Sequence, residues 1–199
     1  MTARTSPSSQ RNREPILAVL KEVLPATGLV LEIAAGAGEH ALWFSRALSG
    51  LQWRPTDPDP QALASIAAWR AAEGSSNLLE PLSLSAAEPE AWPVAQADAI
   101  VCINMIHISP WAATEGLLAG AGRILPAGGV VYLYGPYRET GVATAPSNDA
   151  FDTDLKRRNP AWGLRLLDDV AAEAARHGLS LHRRVEMPAN NLSVVFVKL

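Results

Sequence analysis

Residues 28–41 have the sequence GLVLEIAAGAGEHA. The first part, 28–34, is a short apolar run of strand length, and the small residues from Ala35 to Gly38 break it. From Glu39 to Leu48 the apolar positions return at helical spacing. This order of strand, glycine turn and helix predicts the first βα unit of a parallel sheet.

The same alternation continues on the C-terminal side of this stretch. Apolar runs of strand length recur at 51–56, 78–85, 98–108 and 130–134. Helical patterns at 61–72 and 114–125 lie between them. Two last runs, 180–187 and 192–199, flank a turn too short for a helical crossover. We therefore expect an α/β fold, with a doubly wound, mostly parallel seven-stranded sheet and a C-terminal antiparallel strand pair.

Length and composition predict one domain. The chain has 199 residues, of which 48% are hydrophobic, and no long polar linker divides it. We interpret residues 1–199 as a single domain, with 1–10 as a mobile leader. The polar segment 138–166, rich in Pro and Gly, is interpreted as an insertion.

Charge and hydropathy exclude two classes of partner. A net charge of −3 without long basic runs predicts no nucleic-acid binding. No segment approaches the about 20 apolar residues of a membrane span, which predicts no membrane insertion.

The single cysteine, Cys102, lies in an apolar run and cannot form an intrachain disulfide, so we expect a reducing, cytoplasmic location.

Gly36 and Gly38 belong to a pattern, Gly36-Ala-Gly-Glu-His-Ala41, that matches G-x-G-x-x-[GA]. Glycine lets the backbone approach a ligand closely, and the following helix offers free N–H groups at its positive end. The pattern fits S-adenosylmethionine, a nicotinamide dinucleotide, or a tight turn that binds nothing.

A carboxylate stands near the end of each of the first two predicted strands. Glu32 would need a cation or hydrogen-bond donors at the rim of the sheet; a methionyl ammonium would suit it, whereas a pyrophosphate would be repelled. Asp57 could accept hydrogen bonds from both hydroxyls of a ribose. The alternatives are a surface acid at Glu32 and a plain turn residue at Asp57.

The fourth predicted strand delivers Asn104, His107 and Ser109 to the same rim, where polar residues are poor choices for a core. His107 either removes a substrate proton or is a structural histidine. Three positions apart on a pleated strand, Asn104 and His107 would point to opposite faces, so both can face a cofactor only if one lies on the loop. No Ser-His-Asp order or metal-ligand spacing accompanies them, which disfavours hydrolase and zinc chemistry.

Six stretches of the sequence resemble the methyltransferase-like twenty-six family, and the resemblance extends over nearly the whole chain. They are Arg11-Asn12 with Pro15-Ile-Leu17, Val30-Leu-Glu-Ile-Ala-Ala-Gly-Ala-Gly-Glu-His40, Cys102-Ile-Asn-Met-Ile-His-Ile-Ser-Pro-Trp111, Leu133-Tyr-Gly-Pro136, Ala145-Pro-Ser-Asn148 and Met187-Pro-Ala-Asn-Asn-Leu192. The resemblance implies a class I methyltransferase, Rossmann-like fold with S-adenosylmethionine as cofactor. It adds Arg11 and Asn12 to the cofactor-binding residues.

Two positions depart from the class I pattern that this resemblance implies. Ala34 stands where the loop usually has its first glycine, which would reshape the turn. Ser85 stands where an Asp often meets the adenine amino group, and a hydroxyl is a weaker, uncharged acceptor.

These observations lead to one leading hypothesis, S-adenosylmethionine-dependent methyl transfer to a small-molecule acceptor. Asn104 would lie near the methionyl or methyl end of the cofactor, and the insertion 138–166, with Tyr137, Asn148, Phe151 and Trp162, would roof the acceptor. His107 and Tyr137 are the candidate catalytic residues. A non-catalytic S-adenosylmethionine-binding or interaction protein is the alternative, and a nicotinamide-dependent oxidoreductase is disfavoured by Glu32. The sequence does not specify the oligomeric state.

Overall fold

A seven-stranded sheet forms the centre of the computed structural model, which describes residues 7–199. In chain order the strands are β1 (Gly28–Ile33), β2 (Leu51–Asp57), β3 (Leu82–Ser83), β4 (Ala99–Ile103), β5 (Val130–Gly135), the separately paired β6 (Tyr137–Arg138) and β7 (Arg165–Leu166), β8 (Leu179–Met187) and β9 (Asn191–Lys198). The spatial order is β3-β2-β1-β4-β5-β9-β8. β1 to β5 pair in parallel, and β9 is antiparallel to both β5 and β8. This confirms the predicted doubly wound, mostly parallel sheet.

Helices cover both faces of the sheet. They are α1 (Pro7–Val23), α2 (Glu39–Ala47), α3 (Pro60–Glu73), α4 (Trp111–Ile124), α5 (Pro146–Arg158) and α6 (Leu167–Arg176). Because side chains alternate along a strand, Leu31 and Ile33 enter the apolar cluster shared with α4 and α6, whereas Val30 enters the cluster shared with α1 and α2. None of the helices formed by residues 7–199 has the length and hydropathy to cross a membrane.

Three predicted boundaries differ from the structure. α1 begins at Pro7, so residues 7–10 of the predicted leader are helical, and residues 1–6 lie outside the described residues. The predicted third strand is reduced to β3, with Leu78 contributing one isolated bridge to Trp53. β4 ends at Ile103 rather than near Ile108, because Asn104 has a left-handed φ of 58° that does not continue a strand.

The insertion has its own secondary structure. α5 lies between β6 and β7, which pair in parallel with each other and not with the main sheet. Asp152 of α5 holds this unit together: it accepts hydrogen bonds from the Leu164 N–H (2.8 Å), from Lys156 (2.7 Å) and from Arg138 (3.1 Å). These hydrogen bonds join both ends of the insertion to α5.

Candidate functional site

The turn after β1 is built from left-handed backbone. Ala34, Gly36 and Gly38 have φ of 57°, 56° and 88°. A side chain at Gly38 would place its Cβ 2.8 Å from Ile66 Cγ1, so Gly38 is required for packing against α3. A Cβ at Gly36 would meet no atom within 4 Å. The two glycines therefore have different roles. Gly38 allows the turn to pack against α3, whereas Gly36 leaves open space beside the turn.

Asp57 supports this turn from the end of β2. Its carboxylate accepts the Gly36 N–H at 2.9 Å through one oxygen and the Asp59 N–H at 2.9 Å through the other. The side chain is 8% exposed. Its backbone oxygen accepts the Leu84 N–H (3.3 Å), which brings the half-buried Ser85 to the same edge. Gly36, Asp57 and Ser85 thus form one rim across the ends of three strands.

Glu32 lies behind the turn and is not a surface acid. It is 2% exposed and accepts a 2.6 Å hydrogen bond from Trp53 Nε1. Burial raises its pKa to about 8; the Trp53 hydrogen bond opposes this increase, and the nearby Asp57 charge adds to it. In the absence of a cation Glu32 is therefore mostly protonated at neutral pH.

A cavity of about 630 Å³ opens at the carboxyl ends of β4 and β5. Five segments of the chain contribute to its wall: α1, the loop after β4, the end of β5 with the residue that follows it, α5, and the turn between β8 and β9. The lining residues are Arg11, Asn12, Pro15, Asn104, His107, Ile108, Tyr134, Pro136, Asn148, Phe151, Pro188, Ala189 and Asn191. Glu32, Gly36, Asp57 and Ser85 do not line it, so the predicted residues form two neighbouring groups.

Asn104 and His107 both line this cavity. The sequence analysis requires one of them to lie on the loop; because β4 ends at Ile103, both residues belong to the loop. Gly135 leaves room for them: a Cβ there would lie 3.0 Å from His107 Nδ1 and 3.6 Å from Asn104 Oδ1.

The imidazole of His107 is 3% exposed, and its Nδ1 is buried without a hydrogen-bond partner in the described structure. The ring meets the edge of Phe151 with centroids 5.7 Å apart. Burial, and to a smaller extent the positive charge of Arg165, lower the pKa of His107 to about 4. His107 is therefore neutral at physiological pH.

Within residues 7–199 no group of three or more His, Cys, Asp or Glu could hold a metal ion.

The other predicted catalytic residue, Tyr137, does not line this cavity. Its side chain lies in the apolar cluster between the sheet, α4 and α6, and no described residue bonds its buried hydroxyl. Burial raises the pKa of Tyr137 well above its ordinary value. Trp162 is likewise absent from the wall of the cavity. The Ser109 hydroxyl donates a hydrogen bond to the Met105 carbonyl oxygen (3.0 Å).

α1 is fastened to the rest of the site by contacts that the sequence did not reveal. Asn12 Oδ1 lies 2.8 Å from His40 Nε2. His40 stacks on Phe44, and burial, with the Arg13 charge second, lowers its pKa to about 4. A neutral His40 therefore holds α1 against the start of α2.

The turn Pro188–Asn190 is a second part of the wall that sequence reasoning missed. β8 is parallel to β5, because both are antiparallel to β9, so the carboxyl end of β8 lies at the cavity edge. Asn148 Nδ2 donates to the Asn190 carbonyl at 2.9 Å and ties this turn to α5. The order of the strands in the sheet is the information from which this turn could have been placed at the cavity edge.

A family model described as Protein of unknown function (DUF938) matches residues 3–198. The chain is also similar to three solved structures. An O-methyltransferase family 2 protein from Planctomyces limnophilus, in complex with apigenin, is 17% identical with a TM-score of 0.79, over 96% of this chain and 60% of that one. CalO1, a methyltransferase in calicheamicin biosynthesis in its SAH-bound form, is 19% identical with a TM-score of 0.73, over 96% and 55%. Human N-acetylserotonin methyltransferase, in complex with SAM, is 12% identical with a TM-score of 0.79, over 96% and 52%.

At these identities the likeness shows a shared fold, which is the Rossmann-like fold of the methyltransferases named. The chain spans between 52% and 60% of their length.

Proposed function

The chain belongs to the family of proteins of unknown function designated DUF938, and from its site we propose that it transfers a methyl group from S-adenosylmethionine (SAM) to a small-molecule acceptor. One observation carries this proposal. The turn after β1 leaves open space at Gly36 beside the Asp57 carboxylate, and a large cavity lies at the same edge of the sheet. This is the edge at which doubly wound sheets bind their ligands.

The residues of the rim suit an adenosine and a methionyl group. Each Asp57 oxygen accepts one backbone N–H and keeps a further acceptor position for a ribose hydroxyl. Gly36 would admit the ligand, and Glu32 would regain its negative charge beside a methionyl ammonium. The remaining proposed contacts are Ser85 at the adenine end and Arg11, Asn12 and Asn104 at the methionyl end. SAM supplies, when bound, a methyl group already activated by its positively charged sulfur.

The cavity is the proposed acceptor site. Its volume of about 630 Å³ falls within the roughly 300–1,000 Å³ typical of small-molecule pockets. α5 of the insertion places Asn148 and Phe151 in its wall, which supports the proposed roof. The structural neighbour from Planctomyces limnophilus, a complex with apigenin, supports an acceptor of this size.

Small molecules of the cytoplasm are the proposed partners. The net charge of −3 does not favour nucleic acid. Cys102 is free and buried, a state that a reducing compartment preserves.

A protein that binds SAM without turnover is the second candidate. His107 is a weak base because its pKa is lowered to about 4, and Tyr137 lies away from the cavity. Both observations leave fewer side chains that could remove the proton of a weakly acidic acceptor. Neither observation affects the proposed binding of the cofactor.

Calorimetry with SAM, with its demethylated product SAH and with NAD tests the cofactor. We expect SAM and SAH to bind and NAD to fail. Gly36→Ala should weaken SAM binding at least tenfold, since its Cβ would fill the open space. Gly128→Ala is the matched control: Gly128 also has a positive φ (82°) and an empty surrounding, but precedes the amino end of β5. NAD binding, or equal SAM affinity in both variants, would overturn the proposed site. Methyl release over a metabolite panel then separates enzyme from binder.

A further inference from the structure

The wall of the cavity is apolar where it meets solvent. Ile108 is 41% exposed and Phe151 is 37% exposed, and both line the cavity. Pro136 and Pro188 add further apolar surface. Exposed apolar side chains that converge on a pocket gain free energy when an apolar ligand covers them.

The charge of the wall has one sign. Among the described residues that line the cavity, Arg11 alone carries a formal charge and none is a carboxylate. A cationic amine entering this space would find no carboxylate among these lining residues to pair with. The wall therefore suits a neutral or anionic molecule.

The imidazole of His107 determines which functional group of a ligand the wall can bind. A neutral imidazole has one nitrogen that donates and one that accepts, and His107 lines the cavity with its buried Nδ1 beside Gly135 and without a partner. A hydroxyl suits either tautomer, since it can both donate and accept. The lowered pKa of His107 keeps the imidazole neutral but makes it a weak base, so the hydroxyl must be relatively acidic. Phenolic hydroxyls, with a pKa of about 10, meet this requirement far better than aliphatic alcohols do.

We propose that the acceptor is an apolar, aromatic molecule bearing a phenol-type hydroxyl, and that His107 accepts the proton of that hydroxyl. This inference rests on the proposed function. The hydroxyl oxygen forms a bond to the methyl carbon while the bond from that carbon to sulfur breaks, and its electron pair stays on sulfur as a neutral thioether. The hydroxyl proton passes to the unprotonated ring nitrogen of His107 and from there to water.

Four naphthalene derivatives test the acceptor class on one ring system: 2-naphthol, 2-methoxynaphthalene, 2-naphthalenemethanol and 2-naphthylmethylamine. Binding is measured by calorimetry on protein saturated with SAH, and transfer with labelled SAM. We expect 2-naphthol to bind at least tenfold more tightly than the amine and to be the one compound methylated. Equal or tighter binding of the amine, or methylation of the aliphatic alcohol, would overturn the proposed acceptor class.

The role of His107 is tested with His107→Gln, which keeps a polar side chain but cannot take a proton. We expect transfer to 2-naphthol to fall about 100-fold, while SAH and 2-methoxynaphthalene bind as before. The matched control is His182→Gln, because His182 is exposed on β8. Full transfer by His107→Gln would overturn its role. SAM binding without acceptor is measured first: its absence refutes the proposed function, whereas its presence with a methylated amine refutes the acceptor class alone.

Discussion

Replacing Glu32 with Gln should stabilise the protein and weaken its cofactor binding. The pKa of Glu32 rises from 4.5 to about 8 in the folded protein, so the folded state holds a proton between these values that the unfolded state releases. Stability linked to Glu32 is therefore fully present below about pH 4.5 and is lost as the pH rises towards 8. At about 1.4 kcal/mol per pH unit, the loss at pH 7 is about 3 kcal/mol.

Gln imitates the protonated acid, because its amide oxygen can still accept the 2.6 Å hydrogen bond from Trp53. Urea unfolding without ligand, at pH 5 and at pH 8, measures the effect. We expect the stability of Glu32→Gln relative to wild type to increase by about 3–4 kcal/mol between the two pH values. Other titrating groups, His40 and His107 included, contribute equally to both proteins and cancel.

The matched control is Glu90→Gln, an exposed acid that should give a curve parallel to wild type. A parallel curve for Glu32→Gln would refute the reasoning, because the folded protein would then hold no extra proton at this position. SAM affinity provides the second measurement: a tenfold or larger loss is expected, since a neutral amide cannot pair with the methionyl ammonium.

Three further predictions concern the rim and the start of α2. Asp57→Ala should weaken SAM binding by about 1–3 kcal/mol in calorimetry, since ribose hydroxyls lose a charged acceptor. Gly38→Ala should lower stability by about 1–3 kcal/mol in urea unfolding, because the new Cβ meets Ile66; Gly141→Ala, with a φ of 75° and open space, should lower it less. Wild-type stability linked to His40 falls by about 1.4 kcal/mol per pH unit as the pH drops from about 6.5 to 4, since the unfolded chain takes up a proton that the folded one refuses; His40→Gln should remove this slope.

Each of these predictions has a contradicting outcome. Unchanged affinity in Asp57→Ala, with the exposed Asp168→Ala as control, would remove Asp57 from the cofactor site. Equal unfolding midpoints for the Gly38 and Gly141 variants would show that α3 adjusts to the added methyl group. A slope in His40→Gln as steep as that of wild type would show that His40 does not contribute to the acid sensitivity, since His107 alone would leave only part of it.

The fold was predictable because hydrophobic periodicity and turn residues specify it locally. The run 98–108 shows the limit: Met105 and Ile106 are buried like strand residues, but they pack into the core from a loop. Hydropathy alone cannot distinguish the two cases, and the left-handed Asn104 that ends β4 gives no apolar signal. The predicted strand was therefore too long, and Asn104 as well as His107 belongs to the loop that follows it.

The part of the candidate site that lies at the carboxyl ends of neighbouring strands could be predicted from the strand order. Gly36, Asp57 and Asn104 follow strands whose carboxyl ends meet at one edge. The contact between Asn12 and His40 joins two helices, and nothing in the local sequence of either predicts it. The direction of the Tyr137 ring was unpredictable for the same reason, since it depends on packing against distant residues.

The position of β9 between β5 and β8 affects how the protein is made. Of these three strands β9 is synthesised last, yet it separates the other two in the sheet. Until β9 inserts, β5 presents a row of unpaired N–H and C=O groups, and such an edge favours association between nascent chains. The wall of the cavity that depends on Asn191 is likewise completed only at this stage. The emergence of these residues from the ribosome therefore precedes the completion of the cavity.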